Sequence, residues 1–419
     1  MAIYGSLGDL EVNADYPSIQ PTLDLNFAKT KALDSRITFY RNSLATYTDD
    51  KGIIRTVPEN VPRFDHDPTT GESLGLLIEE SRTNTQTNSQ PQSGSFTGGD
   101  AVVTYNTSTA PNGETEACRI ARNGTDTNNS SWRATRSITF NANTMVLSCW
   151  AKPQNGNNYF VWSFQNLGGA IVRAGFLLTG DGGTQIITNG NGGHTLQIEK
   201  YPDGWYRCII IGNTQSSGTT TQFLYTAAGY DEDSSVIGGS TLVWGFQLEV
   251  GSFPTSYIPT SGSTVTRTGD VCYMDGTNFS NWYNPIESTI YSQFICNNNA
   301  SLNNRLFRIN SNDFNRIDYV IANQYHPYIE TNAVAQVVLD AGSLSSGVVN
   351  KVAVGLINSG SASVINGGTV TTSGTITLPI VNKIEIGNSN YTLFLNGTLS
   401  RFIYYPKRLT NTQLQNLTA

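Results

Sequence analysis

The sequence predicts an all-β protein in which an N-terminal β-rich collar precedes two antiparallel β-sandwich domains. Short runs that alternate apolar and polar residues recur along the chain, and turns rich in Gly, Asn and Asp separate them. From residue 101 to about residue 266, apolar residues at the spacing of an amphipathic helix are absent. Charged residues make up only 14% of the chain whereas glycine occurs 40 times, a balance typical of turn-rich β structure.

The collar is predicted over residues 1–88. Alternating runs at Arg36–Tyr40 and Ala45–Thr48 are accompanied by turns at 49–52 and 68–71. We expect these short strands to form a compact β-rich segment without any helix.

Two sandwich domains are predicted after the collar, a jelly roll over 89–267 and a second sandwich over 268–419. A polar stretch at 85–99, rich in Ser, Gln and Gly, is interpreted as a linker or a long loop. Strand-like runs then follow one another in two series, as expected of antiparallel sandwiches. With 38% hydrophobic residues, each domain can bury a core of its own.

The charge balance argues against nucleic acid and membranes as partners. The formal net charge is −7, and no cluster of Lys and Arg is available to bind phosphate groups. No run of about 18 apolar residues could span a bilayer. The N-terminal stretch is too polar for a signal peptide, so we expect a protein that folds in the cytoplasm.

The cysteines and histidines predict neither a disulfide framework nor a zinc site. The five cysteines are widely spaced without a CxxC, and Cys149 and Cys208 lie in strand-like runs as predicted reduced core residues. The three histidines show no HxH or HExxH spacing. No G-x-S-x-G, P-loop or dinucleotide-binding motif is present, so serine-dependent hydrolysis is not expected.

Three stretches of the chain resemble known families. The region from Asp24 to Asn84 resembles the N-terminal region of virion structural proteins of tailed bacteriophages, the fibre and spike subunits. Asp203–Ile210 (DGWYRCII) and Val243–Arg267 are similar to carbohydrate-binding sandwich modules of phage structural proteins. Asn382–Thr418 resembles the last strands of concanavalin-A-like or laminin-G-like domains, in which a short helix written L-T-x-x-x-L follows the final strand.

These resemblances imply a fibre, spike or decoration subunit of a phage virion, assembled in the bacterial cytoplasm. Its expected partners are other virion proteins, through the N-terminal region, and polysaccharide on the host surface. Such subunits are often homotrimers, so we expect a homo-oligomer. The alternatives are a purely structural decoration protein, a polysaccharide-degrading tailspike and a bacterial extracellular binding module.

Candidate glycan-binding residues are aromatic, because a flat ring can stack against the apolar face of a sugar. In the first sandwich they are Trp132, Tyr159 and Trp162, with burial in the core as the alternative. In the second they are Tyr325 and Tyr328, in the loop-like sequence QYHPY, where loop anchoring or a subunit contact is the alternative. Three further tryptophans are predicted to be core residues: Trp150, Trp205 and Trp244.

The acidic residues do not predict an enzyme. A glycosidase needs two carboxyl groups at a defined separation, and the candidate clusters are 79–80, 231–233 and Asp313 with Asp318. The E-x-D-x-x-E strand of laminarinase-like enzymes is absent, so we expect no catalysis. Asp231 and Asp233 form a candidate Ca²⁺ site, with a solvated acidic loop as the alternative. No other cofactor is expected.

Overall fold

Strands account for about half of the protein, which confirms the predicted all-β class: the computed structural model has 52% strand and 5% helix. The residues that the structure describes are 15–96, 99–124, 133–141, 143–165, 170–190, 193–214, 216–231, 234–297, 304–322 and 324–419.

The described strands and helices are short and follow one another closely. In chain order they are β1 Leu23–Leu25, α1 Phe27–Thr30, β2 Thr38–Tyr40, β3 Ala45–Thr48, β4 Ile54–Val57, β5 Arg63–His66, β6 Ser73–Ile78, β7 Arg82–Asn84, β8 Val102–Thr109, β9 Thr115–Ala121, β10 Arg133–Phe140, β11 Thr144–Gln154, β12 Tyr159–Gln165, β13 Ile171–Leu177, β14 Gly183–Asn189, β15 Thr195–Lys200, β16 Tyr206–Asn213, β17 Gly218–Ala227, β18 Ser240–Val250, β19 Val265–Arg267, β20 Val271–Asp275, α2 Gly276–Ser280, β21 Glu287–Cys296, β22 Asn304–Asn312, β23 Asn315–Ile321, β24 Tyr325–Thr331, β25 Val334–Val338, β26 Val349–Ile357, β27 Ala362–Ile365, β28 Thr371–Thr372, β29 Lys383–Ile386, β30 Gly397–Tyr405 and α3 Asn411–Thr418.

Contacts divide the chain into two compact units. Unit 1 comprises Met1–Phe39, Leu74–Ile78 and Val271–Ala419, and unit 2 comprises Tyr40–Ser73 and Glu79–Asp270. Residues of the predicted collar therefore contribute to both units. The three-domain organisation, with boundaries after residues 88 and 267, stays a prediction.

Unit 2 is a β-sandwich of two antiparallel sheets. Its five-stranded sheet has the order β10-β17-β12-β13-β14, and its six-stranded sheet has the order β15-β16-β11-β18-β9-β8. Alternate residues of each strand point into the core between the sheets, for example Phe160, Trp162 and Phe164 of β12. Cys149 and Cys208 face each other across β11 and β16 and are buried, as predicted for core residues.

A second apolar cluster of unit 2 lies beside the six-stranded sheet. It contains the tryptophans that were predicted to be buried, Trp150, Trp205 and Trp244, whose exposed fractions are 1%, 3% and 0%. Trp150 packs edge-on against Tyr201 and Tyr257, with ring centroids 5.7 and 5.6 Å apart. The prediction for these three tryptophans is confirmed.

Buried ion pairs connect the collar strands of unit 2 to the end of its last strand. Arg63 Nη1 on β5 donates to Glu79 Oε2 at 2.8 Å, and Arg63 Nη2 donates to Asp270 Oδ2. Arg41 Nη1 lies 3.0 Å from Asp270 Oδ1, and Arg267 Nη1 lies 3.4 Å from Glu79 Oε2. Burial opposes ionisation of Glu79, but the charges of Arg267 and Arg63 outweigh it and lower its pKa to about 2.

Unit 1 also contains two antiparallel sheets. In one of them the strand order is β28-β27-β26-β21-β30. On the side away from β21, β30 pairs with β1 along one part of its length and with β6 along another. The seven-stranded sheet has the order β2-β20-β29-β22-β23-β24-β25. Phe307 of β22 and Phe402 of β30 meet between the sheets, with ring centroids 5.2 Å apart.

Two of the helices bear on the predictions. The collar was expected to lack a helix, but it contains α1, which begins because Asn26 Oδ1 accepts a hydrogen bond from Lys29 N. The helix implied by the L-T-x-x-x-L resemblance is present as α3. It begins at a capping box formed by Thr410 and Gln413, and its Leu414 is fully buried.

Within the described residues, no helix has both the length and the apolar character needed to cross a membrane.

Candidate functional site

The outer face of the five-stranded sheet in unit 2, opposite the inter-sheet core, carries a group of aromatic side chains. Because side chains alternate along a strand, the inward direction of Trp162 turns Tyr159 and Val161 of β12 outward. On the neighbouring strand β17, Phe223 and Tyr225 point the same way, and Tyr225 lies directly opposite Val161.

Tyr230, which follows β17, completes this group because two glycines leave room for its ring. A Cβ added at Gly183 would lie 2.5 Å from Tyr230 Oη, and one at Gly175 would lie 2.9 Å from Tyr230 Cδ1. The ring therefore rests directly on β13 and β14. Tyr230 also packs edge-on against Tyr159, with ring centroids 4.9 Å apart. We call Tyr159, Phe223, Tyr225 and Tyr230 the outer aromatic cluster.

An arginine borders the cluster. The guanidinium carbon of Arg133 lies 5.1 Å from the centre of the Phe223 ring, and Phe223 is 6.5 Å from Tyr225. Tyr225 is almost buried, whereas Tyr159, Phe223 and Tyr230 are half-buried. Such a surface offers flat rings to an apolar ligand face and a guanidinium to polar groups beside it.

Among the predicted platform residues of the first sandwich, the structure supports only Tyr159 as a surface residue. Trp162 is 1% exposed, and its Nε1 donates to Gln222 Oε1 at 2.9 Å inside the core. It therefore lacks the exposed ring face that stacking requires, and we correct the prediction for Trp162. Trp132 lies outside the described residues.

The sequence QYHPY is a strand, not a loop. Tyr325 begins β24 and points into the core of unit 1 with 0% exposure, so it is not a surface platform, and the prediction is corrected. Proline disfavours strands, so Pro327 made this sequence resemble a loop. Within β24, Pro327 is paired with Tyr319 of β23, and its carbonyl accepts a hydrogen bond from Leu339 N.

Tyr328 faces the opposite way and lies on the outer face of the seven-stranded sheet. There it belongs to a row of directly paired residues that includes Glu385, Arg308, Asp318 and Tyr328, on four adjacent strands. The Tyr328 hydroxyl donates to Glu330 Oε2 at 2.8 Å. The predicted residue is thus part of a charged surface, not of an aromatic one.

Arginines and acids pair extensively on this face. Arg316 Nε lies 3.1 Å from Asp318 Oδ2, and Arg316 Nη2 lies 2.7 Å from Glu330 Oε2. Arg305 and Arg308 each approach Asp318 to 3.4 Å. We call these five residues the outer ion-pair network. It holds three arginines and two carboxylates, and Arg308 also pairs with Asp313, so each charge lies beside an opposite one.

The candidate catalytic acids have structural partners. Hydrogen bonds from Asn390 and Arg308 lower the pKa of Asp313, and Glu79 belongs to the buried ion pairs described above. A general acid requires a raised pKa, so neither carboxyl group has the property that this role needs.

The structure describes one of the two residues of the candidate Ca²⁺ site. Asp231 is exposed, and its Oδ1 accepts a hydrogen bond from Ser234 Oγ at 3.2 Å, while Asp233 lies outside the described residues. In the part of the chain that the structure describes, no group of three or more His, Cys, Asp or Glu side chains could hold a metal ion. The Ca²⁺ site stays a prediction.

Sequence reasoning missed most of the outer aromatic cluster. Phe223 and Tyr225 stand two residues apart in β17, so strand alternation alone could have placed them on one face. Whether that face points outward depends on which face is covered by the core. The position of Tyr230 depends on glycines of two other strands. Only the first of these signals was readable in the sequence.

Several solved structures are similar to parts of this chain, and the three described here have identities of 15%, 12% and 10%. No protein-family model and no curated protein matches the chain. The CBM40 of the Ruminococcus gnavus IT-sialidase, bound to α2,3 sialyllactose, is 15% identical, with 34% of this chain and 87% of that chain covered and a TM-score of 0.30. Domain 4 of an extracellular GH43 arabinanase from Geobacillus stearothermophilus, in complex with arabinotriose, is 12% identical. The similarity covers 41% of this chain and 83% of that chain, with a TM-score of 0.30.

A sialidase from Trypanosoma rangeli is similar over more of the chain, 72% of this one and 60% of that one, at 10% identity and a TM-score of 0.28. At these scores the similarity is no basis for an activity.

Proposed function

We propose that this protein is a non-catalytic, glycan-binding subunit of a tailed-phage virion, a fibre or spike that attaches to polysaccharide on the host surface. The outer aromatic cluster is the observation that carries the glycan-binding part. The virion part, including assembly in the bacterial cytoplasm and docking to other virion proteins, rests on the resemblance of the region Asp24 to Asn84.

The cluster suits an extended ligand. The half-buried rings of Tyr159, Phe223 and Tyr230 lie on the surface of a sheet, so several sugar units of one polysaccharide can contact them in succession. Tyr159 and Tyr230 supply flat apolar surface, and their hydroxyl groups and Arg133 supply hydrogen-bonding groups for sugar hydroxyls.

A surface of this kind binds each glycan weakly. Copies held together in a homo-oligomer would bind one polysaccharide at several points, and the linked binding events would raise the overall affinity by about 10²–10⁴. Attachment by many weak contacts is what an adhesin on a virion requires.

An array of bacterial envelope polysaccharides tests the glycan-binding part. We expect saturable binding of the purified protein to at least one polysaccharide, and competition by the same polysaccharide in solution. The double variant Tyr159→Ala/Tyr230→Ala should lose at least about tenfold in affinity, equivalent to about 1.4 kcal/mol. Tyr16→Ala, at a tyrosine of unit 1 that is 56% exposed, is the matched control and should bind normally.

Three results would contradict parts of the proposal. Failure of a correctly assembled oligomer to bind any polysaccharide would favour a purely structural decoration protein. Release of new reducing ends from a bound polysaccharide would contradict the non-catalytic part and favour a tailspike depolymerase. Absence of the protein from purified particles, measured by mass spectrometry, would contradict the virion part.

A further inference from the structure

A cleft of about 220 Å³ lies in unit 2, away from the residues of the outer aromatic cluster. Three turns surround it: the turn between β3 and β4, the turn between β8 and β9, and the turn that precedes β16. The third turn holds the start of the DGWYRCII motif, to which the glycan-binding proposal above assigns no role.

The walls of the cleft are fixed by contacts among these turns. Ile54 N donates to Pro111 O at 2.9 Å and so joins the first turn to the second. Gly52 has a φ of 73°, and a Cβ added there would lie 2.3 Å from Pro202 Cγ, so only glycine permits this approach of the first turn to the third. Tyr201 is anchored by its edge-on contact with Trp150. The cleft is therefore preformed.

Its polar groups lie at the mouth and its aromatic groups lie deeper. Lys51, Thr109 and Asp203 line the cleft and are exposed, whereas Tyr201 and Trp205 line it and are buried. An apolar aromatic interior with a few polar groups is the usual composition of small-molecule sites.

Asp203 adopts an unusual backbone conformation at this mouth. Its φ of 56° and ψ of 25° place it in the left-handed region, which Asp and Asn enter more readily than other residues with a side chain. Residues held in this region often mark functional sites. The conformation also makes Asn a matched replacement that removes the charge and retains the backbone.

The size and charge of the cleft define the ligand. Its volume equals that of about seven water molecules and is smaller than the sites of drug-sized ligands, so it can hold one ring and not a chain of rings. One acidic residue, Asp203, and one basic residue, Lys51, both line it. A ligand with hydroxyl groups can donate to Asp203 and accept from Lys51, and one residue of each charge gives the cleft no net preference for an anion or a cation.

We propose that this cleft is a second binding site, which takes a single neutral sugar ring, such as a terminal or branch residue of a glycan. The conclusion that the ligand is a sugar rests on the proposed glycan binding. The existence of the cleft does not depend on it. Trp205 and Tyr201 face the ring, and Asp203 and Lys51 bind its hydroxyl groups.

Fluorine NMR of the full chain labelled with 5-fluorotryptophan tests this proposal. The chain has six tryptophans, and the variant Trp205→Phe identifies the Trp205 resonance. The probes are neutral methyl glycosides of hexoses, pentoses and N-acetylhexosamines, titrated one at a time. We expect at least one of them to shift the Trp205 resonance saturably, and Asp203→Asn to weaken that binding by about tenfold. Tyr230→Ala should leave it unchanged.

The outcomes separate the two sites. If no glycoside shifts the Trp205 resonance, or if Asp203→Asn binds as tightly as the wild type, the cleft proposal is overturned even where polysaccharide binding persists. If a glycoside shifts that resonance while no polysaccharide binds the outer aromatic cluster, the cleft proposal holds and the proposed function fails.

Discussion

The outer faces of the five-stranded sheet of unit 2 and the seven-stranded sheet of unit 1 differ in chemistry. In unit 2, rings of Tyr159, Phe223 and Tyr230 lie half-buried on the sheet with few charges among them. In unit 1, the corresponding surface carries the outer ion-pair network, in which Asp318 alone is approached by three arginines. Both units are antiparallel sandwiches, so the fold does not decide what an outer face does.

The difference shows which outer face can bind a ligand without losing interactions that it already makes. The charged groups of unit 1 are paired with one another, and a ligand would have to replace those interactions before gaining any. The rings of unit 2 interact mainly through apolar contact, and an added sugar would extend that contact without breaking an ion pair.

Removal of the Asp318 charge from the outer ion-pair network should cause the largest loss of stability. Asp318→Asn leaves three buried or half-buried arginines without their shared carboxylate, and we expect a loss of about 3–5 kcal/mol in the free energy of unfolding. Urea denaturation measures the effect. Asp313→Asn is the control, because that carboxylate is 64% exposed and its pair with Arg308 should contribute about 1 kcal/mol or less. Equal effects of the two variants would contradict a structural role for the network.

Acid should weaken unit 2 through Glu79. Since the pKa of Glu79 is lowered to about 2 from an ordinary value near 4.5, its ionised form stabilises the fold fully above pH 4.5, and this stability is lost as the pH falls through 2. The contribution is about 3 kcal/mol. Urea denaturation of the wild type and of Glu79→Gln should therefore give a difference in stability that shrinks between pH 5 and pH 2. A constant difference would show that Glu79 is not held ionised by its arginines.

A single methyl group should disturb the outer aromatic cluster. In Gly183→Ala the new Cβ would collide with Tyr230 Oη and displace the ring from β14. We expect polysaccharide affinity to fall by about tenfold, equivalent to about 1.4 kcal/mol. Gly374→Ala is the matched control, since a Cβ added there has no heavy atom within 4 Å. Unchanged affinity in Gly183→Ala would mean that the position of Tyr230 does not matter for binding.

The smallest effect is expected from an exposed ion pair of unit 1. Arg401 Nη2 lies 2.8 Å from Asp24 Oδ2, and both side chains are more than a third exposed. Asp24→Asn should change the free energy of unfolding by about 1 kcal/mol or less, and salt should reduce the effect further. A loss comparable with that of Asp318→Asn would remove the distinction between the paired face of unit 1 and its ordinary surface.

Local patterns predicted the fold well. The strand alternation indicated β12 and β17, and the L-T-x-x-x-L resemblance indicated α3, because both depend on residues close together in the chain. The same alternation could not decide whether Tyr159 or Trp162 points outward, since the answer depends on the sheet that covers one face. For QYHPY the local proline signal was misleading because the pairing of Pro327 with Tyr319 of β23 forms only in the folded sheet.

Long-range pairings were beyond the sequence. Arg63 and Asp270 are 207 positions apart and meet only after folding, so Glu79 could be interpreted from the sequence as a catalytic candidate although it belongs to a buried ion cluster. Tyr230 likewise depends on space left by glycines of β13 and β14. Such neighbours are set by tertiary packing and not by local spacing.

Hydroxyl-radical footprinting of the aromatic side chains, with and without a bound polysaccharide from the array, tests the central claim most directly. If the outer aromatic cluster binds the glycan, oxidation of Tyr159 and Tyr230 should fall when the polysaccharide is added, while oxidation of Tyr328 stays the same. Protection of Tyr328 with no change at Tyr159 and Tyr230 would place the binding surface on unit 1 and contradict the account.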